Sequence, residues 1–218
     1  MALKKLNIKT FFNAGILLVI LASLWLNPAP ALAMAGAEET ALPVFSEFST
    51  TVQDGRADLP RGVYVPNVLA FPIVQQPYGY GSFLSSEPEQ VTQFRMASQY
   101  GTTGLLAHNY LAGASFFDLE VGDEVRLVYG DGKVEYFVVY EVLQYQALQP
   151  NSPYSSFRHL ETDEVLSVEK MFKRVFFSDG NITFQTCIEK DGDLSWGRLF
   201  VIAIPKVEYE RLVLLGNQ

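Results

Sequence analysis

Residues 124–142 read EVRLVY, GDG and KVEYFVVYEV in succession. Apolar and polar residues alternate on both sides of Gly130-Asp131-Gly132, and that alternation around a glycine-containing three-residue loop predicts a β-hairpin. A second pair of the same kind lies nearer the C-terminus, where NITFQTCIE (181–189) and SWGRLFVIAIP (195–205) are joined through Lys190-Asp191-Gly192-Asp193. On the other side, the short apolar runs from Val63 to Val74 are broken by Pro66 and Pro72, which suits short or edge strands rather than helices. Gln76 to Ser86 (QPYGYGSFLSS) is rich in turn residues and reads as a surface loop. One short helix is expected. Thr162 caps a run to about Val175 in which Val165, Val168, Met171, Phe172 and Val175 recur at helical spacing. With no internal repeat and no low-complexity tract, the excess of strands predicts an all-β barrel or sandwich.

The chain has 218 residues, 49% of them apolar and 18% charged, a composition that fits one globular domain and at most two. Lys4, Lys5 and Lys9 are the only charges in the first 33 residues, so the other 185 carry 13 basic and 24 acidic residues, a net of −11. A surface of that sign argues against a nucleic-acid partner. A chain of this length buries about 70% of its unfolded surface and can fold without a metal or a disulfide. The three lysines precede an apolar run from Ile16 to Leu26 (ILLVILASLWL), after which Pro28 and Pro30 break any helix and Ala31-Leu32-Ala33 comes next. That is the layout of a secretory signal. Counting back to Phe11 gives 16 residues interrupted by Asn13, short of the roughly 18 to 20 that a spanning helix needs. Residues 1–33 are therefore expected to be a signal peptide cut after Ala33 or Ala35, with an uncleaved membrane anchor as the alternative. Either places the protein outside the cytoplasm. Residues 34–58, small and acidic without periodicity, are expected to form a flexible tether, leaving 59–218 as the folded domain.

Cys187 is the one cysteine, which excludes an internal disulfide, and it lies near the end of a predicted strand. An unpaired cysteine is ordinarily a small buried hydrophobe. Hairpin parity adds a second reading. With Gly192-Asp193 at the turn centre, opposed residues sum to 385 and Arg198 lies directly across from Cys187; with Asp191-Gly192 there, the sum is 383 and Arg198 is a diagonal neighbour on the same face. An odd-length loop or a bulge would separate them to opposite faces. A guanidinium beside a thiol favours the thiolate, and its N–H groups can donate to a developing oxyanion; the alternative is an ordinary surface arginine. A thiol at its reference pKa is only a few per cent ionised at neutral pH, so a nucleophile also needs a base or cation. Of the two histidines, His159 beside Arg158 reads as solvated. His108 ends the run Gly104-Leu105-Leu106-Ala107, which suits a side chain presented at a strand's end, or else a satisfied structural histidine. It stands 79 positions from Cys187, and local pattern does not decide whether they touch.

Thr183-Phe184-Gln185-Thr186-Cys187 followed by Arg198-Leu199-Phe200-Val201 resembles the TLxTC and downstream arginine signature of sortases. Ala107-His108-Asn109 resembles their histidine segment, and Phe116 to Asp123 (FFDLEVGD) resembles the stretch after that segment. The motifs stand in family order over roughly Tyr100 to Ile204, about half of the chain. The resemblance implies a closed β-barrel of about eight strands with one or two short helices. It implies His108, Cys187 and Arg198 as a catalytic triad, with Thr186 and Ala107 beside it as substrate-binding residues. It also implies the chemistry. The thiolate attacks a carbonyl within a sorting motif near the C-terminus of an exported protein, and an amine of the cell wall or of another surface protein resolves the thioester. His108 moves the protons and Arg198 holds substrate and oxyanion. Phe184 stands where leucine is usual in that motif, and Ala107 where glycine is common. By the same resemblance Gln144 to Asp179 covers the helix-containing loop that reads the sorting motif.

No cofactor is expected. Glu120, Asp123 and Glu124 suggest a calcium site, which some sortases have, but a solvated acidic face explains the same spacing. Asn181-Ile182-Thr183 matches a glycosylation acceptor by chance in a predicted strand. No glycine-rich phosphate loop, His-x-x-x-His pair or Cys-x-x-Cys pair is present. Two rival readings stand beside the transpeptidase: a thiol peptidase of the same fold that hydrolyses its thioester, and a non-catalytic exported domain that binds peptide.

Overall fold

The computed structural model describes residues 42–216. Their strands are β1 (Pro60–Val65), β2 (Leu69–Gln75), β3 (Val91–Phe94), β4 (Thr103–Leu106), β5 (Glu124–Tyr129), β6 (Val134–Ala147), β7 (Phe157–His159), β8 (Val165–Leu166), β9 (Ile182–Lys190) and β10 (Asp193–Pro205). All ten belong to one sheet in the order β10-β9-β4-β3-β2-β1-β5-β6-β7-β8, and a further pairing of β10 with β6 closes eight of them into a barrel. Closure works because β6 is 14 residues long. One edge of β6 carries β5 at residues 134–138 and β7 at residues 145–147, and the other edge carries β10. The barrel is mixed: β2 with β3 and β4 with β9 run parallel, and the other pairs are antiparallel.

Period-two alternation decides what fills the barrel. Leu69, Phe71 and Ile73 of β2, Ile182 and Phe184 of β9, and Leu199, Val201 and Ala203 of β10 form one buried cluster inside. Each fully buried aliphatic or aromatic side chain there is worth about 1.5–3 kcal/mol. The residues between them face outward. Phe200 and Ile202 of β10 join Leu143 and Tyr145 of β6 in a second cluster, covered by β7 and by α3 (Val168–Phe176) through Met171, Val175 and Phe176. Three further α-helices among the described residues are short: α1 (Phe45–Thr51), α2 (Arg95–Ser98) and α4 (Lys206–Gly216). A 3-10 helix, Ala112–Asp118, comes after β4. Among the described residues no helix is long and apolar enough to cross a membrane.

The hairpin read at 124–142 is β5 with β6, turned at Gly130-Asp131-Gly132 with Gly132 at φ +87°. Two boundaries differ from the sequence reading. The helix does not begin at Thr162: the Thr162 hydroxyl accepts the Glu164 amide in the β7–β8 turn, Val165–Leu166 pair as β8, and Ser167 caps α3 by accepting the Lys170 amide. Nor is the whole of 34–58 a tether. Phe48 of α1 is 4% exposed and packs with Tyr64 and Val128 on the outer face of β1 and β5. Beyond it, the amides of Asp54 and Gly55 donate to the Gly130 carbonyl at 3.0 and 2.8 Å. The signal or anchor expected at 1–33, and the tether as far as residue 41, lie outside the described residues.

Candidate active site

The β9–β10 hairpin turns at Asp191-Gly192, both with positive φ (54° and 84°), as a tight right-twisting hairpin turn requires. Next to the turn Asp193 faces Lys190. The register then shifts between Asp193 and Gly197, after which Gly197 faces Ile188 and Arg198 faces Cys187. Both parities weighed from the sequence are therefore present, one on each side of a bulge, and the second sets cysteine against arginine. Cys187 is half-buried. The alternation that buries Phe184 and Thr186 inside turns Cys187 outward, and the one that buries Leu199 and Val201 turns Arg198 to the same face.

A parallel ladder brings in the histidine. β4 lies along β9 with Leu105 beside Phe184 and Leu106 beside Gln185. Two hydrogen bonds carry the alignment past the end of β4: the Ala107 amide donates to the Gln185 carbonyl at 3.3 Å, and the Thr186 hydroxyl donates to the Ala107 carbonyl at 2.9 Å. The register continued two residues beyond Leu106 sets His108 beside Cys187. Leu105 and Ala107 point into the core, which leaves half-buried His108 on the outer face with Cys187 and Arg198.

The segment immediately after His108 fixes it there. The His108 carbonyl accepts the amides of Leu111 and Gly113, both at 3.0 Å, at the start of the 3-10 helix. The Tyr110 ring stacks on the imidazole, centroids 5.1 Å apart and planes 21° off parallel. Asn109 reaches across to the hairpin, its Nδ2 donating to the Leu194 carbonyl at 3.1 Å. Arg198 is held by its own strand: Nη1 donates to the carbonyls of Ser195 (2.9 Å) and Gly197 (2.7 Å), both in or beside the bulge.

The two residues expected to bind substrate sit differently. Thr186 is 0% exposed and Ala107 5%. Joined to each other through the Thr186 hydroxyl, they set the spacing of the histidine and cysteine strands. His159 is likewise structural, its Nδ1 accepting the amides of Glu161 (3.1 Å) and Thr162 (3.3 Å) in the β7–β8 turn. Glu124 is engaged by Arg126 at 2.9 Å and Lys206 at 2.7 Å, and Asp123 accepts the Glu120 amide at 2.8 Å. Among the described residues no three His, Cys, Asp or Glu side chains converge as a metal site. Sequence reasoning quoted Asn109 within the histidine segment without giving it a role and passed over Tyr110 and Gly113; the partners of all three lie in the tertiary structure, and closeness to His108 in the chain was their one signal.

Chemically, the outer face of this barrel end joins a thiol, an imidazole and a guanidinium tied to two carbonyls, groups of the kinds that can supply a nucleophile, an acid–base partner and a hydrogen-bond donor. No protein-family model matches the chain, and no curated protein matches it. Its fold is similar to that of solved sortases. These include sortase A from Corynebacterium diphtheriae (12% identity, 69% of this chain and 61% of that one, TM-score 0.45). Sortase C1 from Streptococcus suis is another (14% identity, 73% and 76%, TM-score 0.45), and sortase C-1 from Actinomyces oris a third (13% identity, 77% and 83%, TM-score 0.44). The chain thus spans less than two thirds of the diphtheria protein matched.

Proposed function

We propose that this protein is a sortase-type cysteine transpeptidase acting outside the cytoplasm on exported proteins that carry a C-terminal sorting motif. The observation that carries this reading is the convergence of two registers, antiparallel β9–β10 and parallel β4–β9, on one outer face that holds Cys187, Arg198 and His108.

In the first half-reaction the Cys187 thiolate attacks the scissile carbonyl carbon. The C–N bond breaks, the protonated imidazole of His108 gives its proton to the departing amine, and a thioester remains on Cys187. In the second, an acceptor amine attacks the thioester carbonyl, neutral His108 takes the amine's proton, and the C–S bond breaks to restore the thiolate. Arg198 faces the carbonyl oxygen as negative charge develops on it in both tetrahedral intermediates, and its anchored Nη1 limits the rearrangement this requires. The segment from β6 to α3, with β7 and β8 inside it, borders this face and is the proposed reader of the motif.

The test is to incubate the protein with a library of short sorting-type peptides, with and without an added amine, and to read products by mass spectrometry beside Cys187→Ala. Amine-linked product that vanishes in the variant is expected. Hydrolysed product alone would replace the transpeptidase by a thiol peptidase. Removing the Arg198 donor by Arg198→Ala is expected to lower turnover about 10²–10³-fold, and His108→Ala about 10²–10⁴-fold.

A further inference from the structure

At the barrel end where β4 begins, opposite the end that holds His108, the inward rows of β2 and β3 finish in glutamines. Gln75 continues the row of Ile73 and Gln93 that of Val91, and the two face each other across the β2–β3 ladder. They form the floor of an open cleft bordered by Arg56, Asp58, Arg95 and Ser98. Three observations mark this cleft as built to receive something. First, Gln93 is only 9% exposed; its Nε2 donates to the Ser98 hydroxyl at 3.1 Å, yet its buried Oε1 has no partner. Turning the amide over exchanges the two ends and still leaves one unpaired. Gln76 beside it is satisfied at both ends, donating to the carbonyls of Gly81 and Phe83 and accepting the Arg95 amide, and Gln75 donates to the Pro60 carbonyl. Second, neither Arg56 nor Arg95 makes a salt bridge among the described residues, in a chain whose charge is strongly acidic.

Third, the cleft runs on into an apolar groove. Arg95, whose guanidinium lies 4.8 Å from the Tyr78 ring centroid, borders both the cleft and a hollow lined by Tyr78, Phe94 and Met96. Met96 in turn borders a further hollow lined by Tyr100, Phe172 and Phe177. Tyr78, Met96, Tyr100 and Phe177 are exposed large hydrophobics, with the rings of Tyr100 and Phe177 stacked 4.0 Å apart. A continuous exposed apolar patch of this kind marks a contact surface.

We propose that this groove binds a peptide that ends in a free α-carboxylate preceded by bulky apolar residues. The carboxylate lies between Arg56 and Arg95, whose planar N–H forks match its two oxygens. The last peptide group pairs with the unpartnered end of Gln93, and the preceding side chains lie along Met96 and Tyr100. Asp58 at the rim opposes a bare anion and accepts from a ligand that carries N–H groups, which selects a peptide over inorganic phosphate. The site takes no part in the proposed chemistry at Cys187: its carboxylate pocket lies at the other end of the barrel, and its apolar groove shares α3 alone with the proposed motif-reading segment.

The test uses the full chain carrying Cys187→Ala, so that binding is read without turnover and neither outcome bears on the transpeptidase reading. Acetyl-Leu-Leu-Ala with a free carboxylate, its C-terminal amide, and sodium phosphate are titrated by calorimetry. The acid is expected to bind at least tenfold more tightly than the amide and than phosphate. Arg56→Gln combined with Arg95→Gln, both on exposed side chains, is expected to erase that difference, and Met96→Ser to weaken acid and amide alike. Equal binding of acid and amide, phosphate binding as tightly as the acid, an acid preference that survives the double substitution, or no binding at millimolar peptide would each overturn the proposal.

Discussion

The hydroxyl of Thr186 is the smallest feature on which the site depends. Buried and donating to the Ala107 carbonyl, it sets the gap between the strand of Cys187 and the segment of His108. Thr186→Val keeps the shape, removes the donor and leaves that carbonyl unpaired, so stability in urea unfolding is expected to fall by about 1–2 kcal/mol. Gly113 is the matching constraint from the other side. A Cβ there would lie 2.7 Å from the His108 carbonyl oxygen and 2.9 Å from that of Ala107, and would press on the Thr186 hydroxyl. Gly113→Ala is expected to destabilise by about 1–3 kcal/mol and to shift the His108 ring resonances in NMR spectra, whereas Gly122→Ala, open to solvent though at positive φ, should leave those resonances in place. At this scale the sequence was legible in part. Cys187, Arg198 and His108 stood out by residue type and motif. Thr186 and Ala107 stood out with them, but the hydrogen bond that joins the two did not, because a hydroxyl's partner 79 positions away leaves no mark on local pattern.

Among the elements, the β9–β10 hairpin was readable because its partners are neighbours in the chain, yet its bulge was not. Just past the bulge stands Gly197, where a Cβ would lie 2.5 Å from the Tyr145 carbonyl oxygen on β6. Gly197→Ala is therefore expected to loosen the β6–β10 pairing that closes the barrel and to uncouple Arg198 from Cys187, seen as faster amide hydrogen exchange at Arg198 and Leu199 than in wild type. Unchanged exchange there would show that β6 yields without losing the register. The parallel β4–β9 pair, which delivers His108, could not be read from sequence at all: parallel strands are joined by long crossovers, and nothing in GLLAH names its neighbour. The helix start slipped from Ser167 to Thr162 because Val165 fits a helical spacing as well as it fits a two-residue strand.

For the molecule as a whole, the acidic limb of its stability is expected to involve Glu124. Lys206 first, then Arg126, hold its carboxyl below the ordinary value, while partial burial opposes them. A carboxyl lowered in the folded state stabilises above its unfolded pKa, and that contribution is lost as pH falls through the folded one. Glu124→Gln should thus flatten the fall in melting temperature below about pH 4.5 relative to wild type; an identical acid limb would mean that β5 and α4 are not coupled through this pair. Helix α1 was invisible at this scale, since seven residues with one buried aromatic give no periodicity. Phe48→Ala is expected to lower stability by about 3–5 kcal/mol, a loss that a mere tether would not produce.

The central claim is that Cys187 becomes acylated, and because the chain holds one cysteine it can be read directly. The protein is incubated with pooled sorting-type peptides without acceptor, quenched in acid, and weighed intact by mass spectrometry. The account predicts a mass increase equal to an N-terminal peptide fragment less water, mapped to Cys187, discharged by an added amine and absent from Cys187→Ala. A protein that stays at its own mass with every peptide, and releases no Cys187-dependent product, would contradict it.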